Sequence, residues 1–429
     1  MTKYNNMFHV GDQAWRDRET HKQRREWLWQ GVVVIVVIAV LALFAYNVTT
    51  NLEARNIRSG FAFLGDRSSF EIGEALIDVS SNDGFGWMFL AGMLNTIRVA
   101  IVSILTATLL GVVVGLMRLS RHPLIRFLGA AHVEFYRNIP LLIQLFAIYL
   151  VITEFLPDIF TPLEFGSWAL LSKAGFQFAV PEALGWANLI ALALGTVAAF
   201  AIRAHLLKKI TSLMSNVFGC MGGVGVAVVV WCAFGVIGGW SKPVLEGFMV
   251  EGGASATPEF LTLWLGLTLF TSASIAEIVR AGVLAVPQGQ WRAAEALGMT
   301  RMQAVSYVVL PQSLRLAIPP MASQYMNLTK NSSLAVIIGY PDIVSVGNTS
   351  IVIMGQALEA ILIIMCVYLL LNLIIAVGIT SSWQQSTGYV RNSMNGRAES
   401  YGACASNNAG RLGRNDAFAS AGEQRLASG

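Results

Sequence analysis

Two almost unbroken apolar stretches, Gly31 to Ala45 and Ile361 to Val377, constrain this chain more than anything else in it. A helix on the surface of a soluble protein interrupts its apolar face with polar residues at every turn, and these stretches do not. About 20 such residues are what a helix needs to cross a hydrocarbon layer. The charge content agrees. Charged residues make up 13% of the chain, where a soluble domain carries about a quarter. A large soluble protein with buried helices is thereby set aside, and lipid is the solvent.

Measured against that length, eight candidate spans run near Leu28–Asn47, Trp87–Met117, Ile139–Leu156, Trp186–Ala201, Val217–Trp240, Phe260–Ile278, Leu316–Ile338 and Ile351–Ile379. The seventh carries Pro319, Pro320 and Lys330 and is the weakest. The first follows a charged leader with no small-residue cleavage site after it, so it reads as an uncleaved helix. Basic residues test the count, because they collect on the inner side of a membrane. With the N-terminus inside, the leader, three inner segments and the tail hold 22 of the 29 Lys and Arg. The outer loops hold only Arg55, Arg58, Arg67, Lys173 and Lys242, while Arg98 and Lys330 lie within spans. Both ends are therefore placed inside. Trp87, Trp186 and Trp240 stand at span ends, as interfacial anchors do.

Several function classes fall away. No basic cluster with interleaved aromatics offers a nucleic-acid surface, despite the net charge of +4. Cys220, Cys232 and Cys366 fall in spans and Cys404 in the tail, so neither a disulfide framework nor a CxxC metal spacing exists. No Gly-Lys pair occurs, so a phosphate-binding Walker-A loop is absent and any ATP must be bound by another polypeptide. Beyond Trp383 the chain turns rich in Ser, Ala, Gly and Asn and reads as a disordered cytoplasmic tail over 381–429. The outer segment after the first span, with its acidic excess, reads as a small surface cap.

The inner loop from Glu277 to Pro311 is the most informative segment. Pro287 suits a helix entrance, Gln288 to Leu297 supplies good helix formers, and Gly298 stands where a left-handed C-terminal residue is wanted. Thr300 with Gln303 forms a capping-box spacing for a second helix, expected to end at Pro311. A helix–Gly–helix elbow results. Periodicity alone leaves open whether it is more than an amphipathic loop.

Ala293, Ala294, Gly298, Val308, Leu310 and Pro311 resemble the EAA signature of binding-protein-dependent ABC importer permeases. Glu134 to Gln144, Ala276 to Gly282 and Thr329 to Ala335 resemble markers of the amino-acid branch, most like the larger, Q-type permease of general L-amino-acid systems. The resemblance covers about Phe89 to Thr380. It implies an all-α membrane protein of the type I importer permease fold. Residues 1–86 would form the leader, an extra first helix and an outer loop, and 87–380 the transmembrane domain with an inserted hairpin at about 157–258. It further implies an inner-membrane permease for L-amino acids without an ATPase site of its own. Its partners would be a cytoplasmic ABC ATPase dimer carrying ATP and Mg, a second permease subunit and a periplasmic amino-acid-binding protein. Arg292, Ala293, Ala294, Glu295, Gly298, Thr300, Val308, Leu310 and Pro311 would make up the ATPase-coupling loop. One departure stands out. Arg292 occupies the usual Glu position, with Glu295 a turn later, and the two are placed to exchange charge along one helix face.

Charge inside a membrane is costly, about 2.5–3.5 kcal/mol for a lysine near the middle. Lys330, with Asn327, Asn331 and Ser332 beside it, either lines the translocation path or satisfies a helix broken after Pro319 and Pro320. Glu359 is a further path candidate, and for it and Arg98 a structural ion pair is an equal reading. The rival to the importer reading is an ion-driven secondary transporter of amino acids, which needs an acidic relay that Glu359 alone would have to supply. An intramembrane enzyme finds no paired catalytic acids, metal motif or Ser–His pair.

Overall fold

Backbone N–H and C=O groups find no partner in hydrocarbon, so apolar runs of this length close their hydrogen bonds within helices. The computed structural model describes residues 22, 25–40, 42–44, 46–48, 50, 51, 54, 60–206, 212–247 and 249–379. The tail expected over 381–429 and most of the leader lie outside these residues. Helices α1 (Arg25–Val48), α2 (Phe85–Arg118), α5 (Leu184–Leu206), α6 (Ser212–Gly238), α7 (Pro258–Leu284) and α12 (Ala357–Ile379) each hold a stretch long and apolar enough to span. Counting each of two bent pairs as one span brings the number among the described residues to as many as eight. In the first, α3 (Pro123–Asn138) turns by 105° into α4 (Leu141–Leu150), which a π turn extends to Phe155. In the second, α9 (Arg301–Ala304) and α10 (Leu310–Asn331), joined by a π turn, continue through a 3₁₀ turn to Ile338 and bend by 50° into α11 (Ile343–Met354).

The core sits around α2 and α7, which run parallel. Gly111 and Gly115 of α2 let the helices touch, since a Cβ on Gly111 would lie 2.7 Å from the Ile275 Cβ. Thr106 Oγ1 and Thr268 Oγ1 share a 2.7 Å hydrogen bond between them, and Trp264 Nε1 donates to the same Thr106 oxygen. Leu145 of α4, Leu263, Leu267 and Ile275 of α7, and Leu328 of α10 complete a fully buried centre. A second cluster, with Phe85, Met88, Phe89, Ile343 and Val346, packs α11 and the 3₁₀ turn at Phe61–Gly65 against the outer end of α2.

Between α4 and α7 the chain inserts α5, α6 and short strands. β1 (Leu163–Phe165), β2 (Ala169–Ser172), β3 (Gly175–Phe178) and β8 (Ala254–Ala256) form one antiparallel sheet in that order, with Leu170 opposite Gln177 and Phe176 opposite Ala256. β4 (Val180–Pro181) pairs with β5 (Trp240–Ser241), and β6 (Val244–Glu246) with β7 (Met249–Glu251). Periodicity had marked none of these strands, which are too short to carry a period-2 signal.

Three local expectations are corrected. The second elbow helix does not end at Pro311. The π turn Val305–Val309 carries it straight into α10, where Pro311 sits in the first turn, and Ser313 Oγ and Gln312 Nε2 donate to the carbonyls of Val309 and Val308. The helix is likewise unbroken at Pro319 and Pro320. The last predicted span, Ile351–Ile379, is in fact divided at Gly355, which takes φ +74 and caps α11. α3 was missed altogether. It is amphipathic and polar enough to look like an inner loop, and Pro123 starts it.

Candidate functional site

Only Ala285, Val286 and Pro287 separate α7 from α8 (Gln288–Ala296). The end of α8 is a Schellman closure: Gly298 N donates to Glu295 O and Met299 N to Ala294 O, with Gly298 at φ +70. Thr300 then caps α9 reciprocally, its Oγ1 accepting from Gln303 N while its own N donates to Gln303 Oε1 at 2.9 Å. The sequence had marked Gly298, Thr300 and Gln303 for these positions. Ala294, Ala304 and Val309 face inward and are buried, and Val308, Leu310 and Pro311 are half-buried. Arg292, Ala293 and Glu295 are exposed. Arg292 and Glu295 form no ion pair, so the expected charge exchange along α8 is corrected. Leu297, Met302 and Tyr307 stand out from the elbow at 77%, 76% and 72% exposure. Exposed apolar side chains grouped in this way mark an interaction surface.

The root of the elbow is fixed to the bundle. Glu277 of α7 accepts from Arg118 at the inner end of α2 and, at 2.6 Å, from Arg280. Gly282 admits the backbone of α10, since a Cβ there would meet Ser313 O at 3.0 Å. The marker Glu134–Gln144 is a corner. Pro140 opens α4, and Gln144 Nε2 donates to both Tyr136 O and Ile139 O across the bend.

Along α10, Leu316, Pro320, Ser323, Asn327 and Lys330 are all exposed and fall three and four residues apart on one face. No carboxylate pairs with Lys330 among the described residues. A face bearing Ser, Asn and Lys does not suit lipid. Asn331 is half-buried, and Ser332 is buried with its hydroxyl donating to Thr329 O, so these two flank the stripe rather than extend it. Glu359, expected well inside the last span, instead lies in the first turn of α12. It is 5% exposed, and its Oε1 accepts from Gly60 N at 2.6 Å.

Arg98 proves to be paired. Its guanidinium meets Glu74 from the outer loop and lies 4.2 Å over the Phe260 ring. Glu74 Oε2 also accepts from Thr257 Oγ1 at 2.5 Å, and Asn95 Nδ2 donates to the carbonyls of Glu74 and Pro341. Sequence reasoning missed Glu74, Thr257 and Asn95, because a loop without periodicity gives no sign of which carboxylate turns inward. Beside this junction an outer cavity of about 380 Å³ is lined by Glu71, Glu74, Thr257, Glu259, Ser345 and Thr349, among others. No group of three His, Cys, Asp or Glu side chains that could hold a metal exists among the described residues.

Residues 191–380 match the family described as "Binding-protein-dependent transport system inner membrane component". The "Putative amino-acid ABC transporter permease protein YhdX" of Escherichia coli is 38% identical, over 82% of this chain and 91% of that protein. The "General L-amino acid transport system permease protein AapQ" of Rhizobium johnstonii is 37% identical, over 82% and 89%. Among solved structures, "Crystal structure of an amino acid ABC transporter with histidines" aligns at TM-score 0.43 and 19% identity, covering 70% of this chain and 95% of that one.

Proposed function

The chain belongs to the amino-acid ABC transporter permeases, and from that premise we propose that it moves L-amino acids inward through the bacterial inner membrane, driven by a separate ATPase docked on the α8–Gly298–α9 elbow. It is a multi-pass inner-membrane permease subunit that works with an ATPase and other subunits. In this reading the chain has no ATPase site of its own, and ATP and Mg are held by a cytoplasmic ATPase dimer. A second permease subunit and a periplasmic amino-acid-binding protein complete the importer. None of the relatives reported above speaks for an ion-driven secondary transporter.

One observation carries the reading: a rigidly capped elbow with Leu297, Met302 and Tyr307 bare to solvent at its tip. A partner that closes on nucleotide can pull on such a tip only if the elbow does not give. The Schellman closure and the capping box supply that stiffness, and the three-residue link hands the movement to α7 without slack. The α10 face at Ser323, Asn327 and Lys330 then borders the path, facing the second permease subunit, and Lys330 meets the substrate carboxylate. Its single unpaired charge attracts an anionic group without trapping it, as a route must.

Co-purification and transport test this. Gently solubilised chain should bring down an ATP-binding-cassette subunit. The reconstituted assembly should accumulate amino acid only with ATP on the elbow side. Accumulation by the purified chain alone, on a proton or sodium gradient, would overturn the reading.

A further inference from the structure

Helices α2 and α7 are joined by charge at both ends. On the inner side, Glu277 holds Arg118. On the outer side, neither helix supplies the carboxylate. It comes from Glu74, in the loop after α1. One oxygen takes Arg98, thirteen residues into α2, and the other takes the hydroxyl of Thr257, the residue that caps α7. Glu74 is 10% exposed at its side chain, and its carbonyl is held by Asn95, which also grips Pro341 ahead of α11. Between the two charged ends lie the Thr106–Thr268 hydrogen bond and the Gly111–Ile275 contact. A pair of helices so fastened cannot shear or splay without breaking a partly desolvated ion pair.

We propose that Glu74 is a positioning residue for coupled transport: by bridging Arg98 and Thr257 it makes α2 and α7 one lever, so that a pull on the elbow moves both. This rests on the importer reading above, because α8 is the point of attack. Without Glu74, α7 still follows the elbow but leaves the outer half of α2 behind. ATP is then hydrolysed without the outer bundle moving as a unit. Glu74 lies 11 positions before the start of α2, yet it enters the bundle and satisfies one cation and one helix cap at once.

The test uses the assembled importer in liposomes, with the native cysteines replaced by serine. Glu74→Gln keeps the shape and a hydrogen-bonding group and removes the charge. Amino acid moved per ATP hydrolysed should fall about tenfold, the usual size of a coupling term, while ATP hydrolysis itself persists. Glu74→Asp should fall between this variant and the parent. Thr106→Cys with Thr268→Cys, whose hydroxyls are 2.7 Å apart, should form a disulfide that restores coupling to Glu74→Gln, and reduction should remove the rescue. Undiminished coupling in Glu74→Gln overturns the proposal, and so does a formed disulfide that rescues nothing. A parallel loss of hydrolysis and uptake, unrescued by the bridge, overturns it in favour of a purely structural role. A second arm needs no partner. In the purified chain, the two cysteines should bridge several-fold more slowly when Glu74→Gln is present. Equal rates sink the lever even if the importer works as proposed, whereas failure of the parent assembly to couple ATP to uptake sinks the importer reading instead.

Discussion

Two helix pairs in this protein are closed by the same device and embedded in opposite ways. α2 and α7 meet at Gly111 and Gly115. α5 and α6 meet at Gly195 and Gly223, where a Cβ on Gly195 would come within 2.8 Å of Gly223 O. Yet over half of the apolar window of α7 is buried, and only 11% of that of α5 or α6. Polar ties between α5 and α6 include Trp231 Nε1 on Asn188 and Ser215 Oγ on Arg203 O, whereas α2 and α7 bring charge to both ends. Small residues suffice to make two helices pair in lipid. What distinguishes the core pair is that α3, α4, α10 and α11 all pack against it.

The sharpest way to break this contrast is at the core seam. Gly111→Val should drive a side chain into Ile275, and overpacking of a filled interface costs about 1–3 kcal/mol. Full-length protein in the membrane and uptake should both fall steeply. A normal yield with normal uptake would show the seam to be loose. Next comes the elbow. Gly298→Val places a β-branched residue at φ +70 in open space, so nothing clashes and only the turn is strained, by about 1–2 kcal/mol. Uptake should disappear while membrane insertion stays at the parent level, and preserved uptake would free the elbow of its coupling role.

A smaller effect is expected at the α10 face. Lys330→Met should raise the KM for uptake about tenfold, the worth of one hydrogen bond to a charged group, and leave ATPase association unchanged. Unaltered kinetics would assign Lys330 a structural place. The smallest effect on transport should come from the hairpin. Gly195→Val ought to lower the melting temperature of the purified chain and leave uptake within about twofold, because local packing losses in a detached pair stay local. If it abolishes uptake instead, the hairpin belongs to the moving core and the comparison fails.

The apolar spans and the caps were legible because each rests on a local rule: apolar length, and Gly298, Thr300 and Gln303 at fixed offsets. Where helices bend was not. Pro311, Pro319 and Pro320 look like breaks, but the helix runs through all three, and the real break fell at Gly355. Lys330 was marked by its cost in lipid, but its company was not. The stripe from Leu316 to Lys330 is visible only once α10 is known to be continuous. Glu74 and Arg98 lie 24 residues apart, one of them in an aperiodic loop, so no pattern joined them.

The hydrogen bond from Gly60 to Glu359 joins residues 299 positions apart. It sets an order of biogenesis. Gly60 leaves the ribosome early, but its acceptor on α12 lies in one of the last helices made. At about 5–20 residues per second, Gly60 waits on the order of half a minute for its acceptor. Nascent chains stalled before α12 should therefore be cut by protease near Gly60 more readily than completed chains.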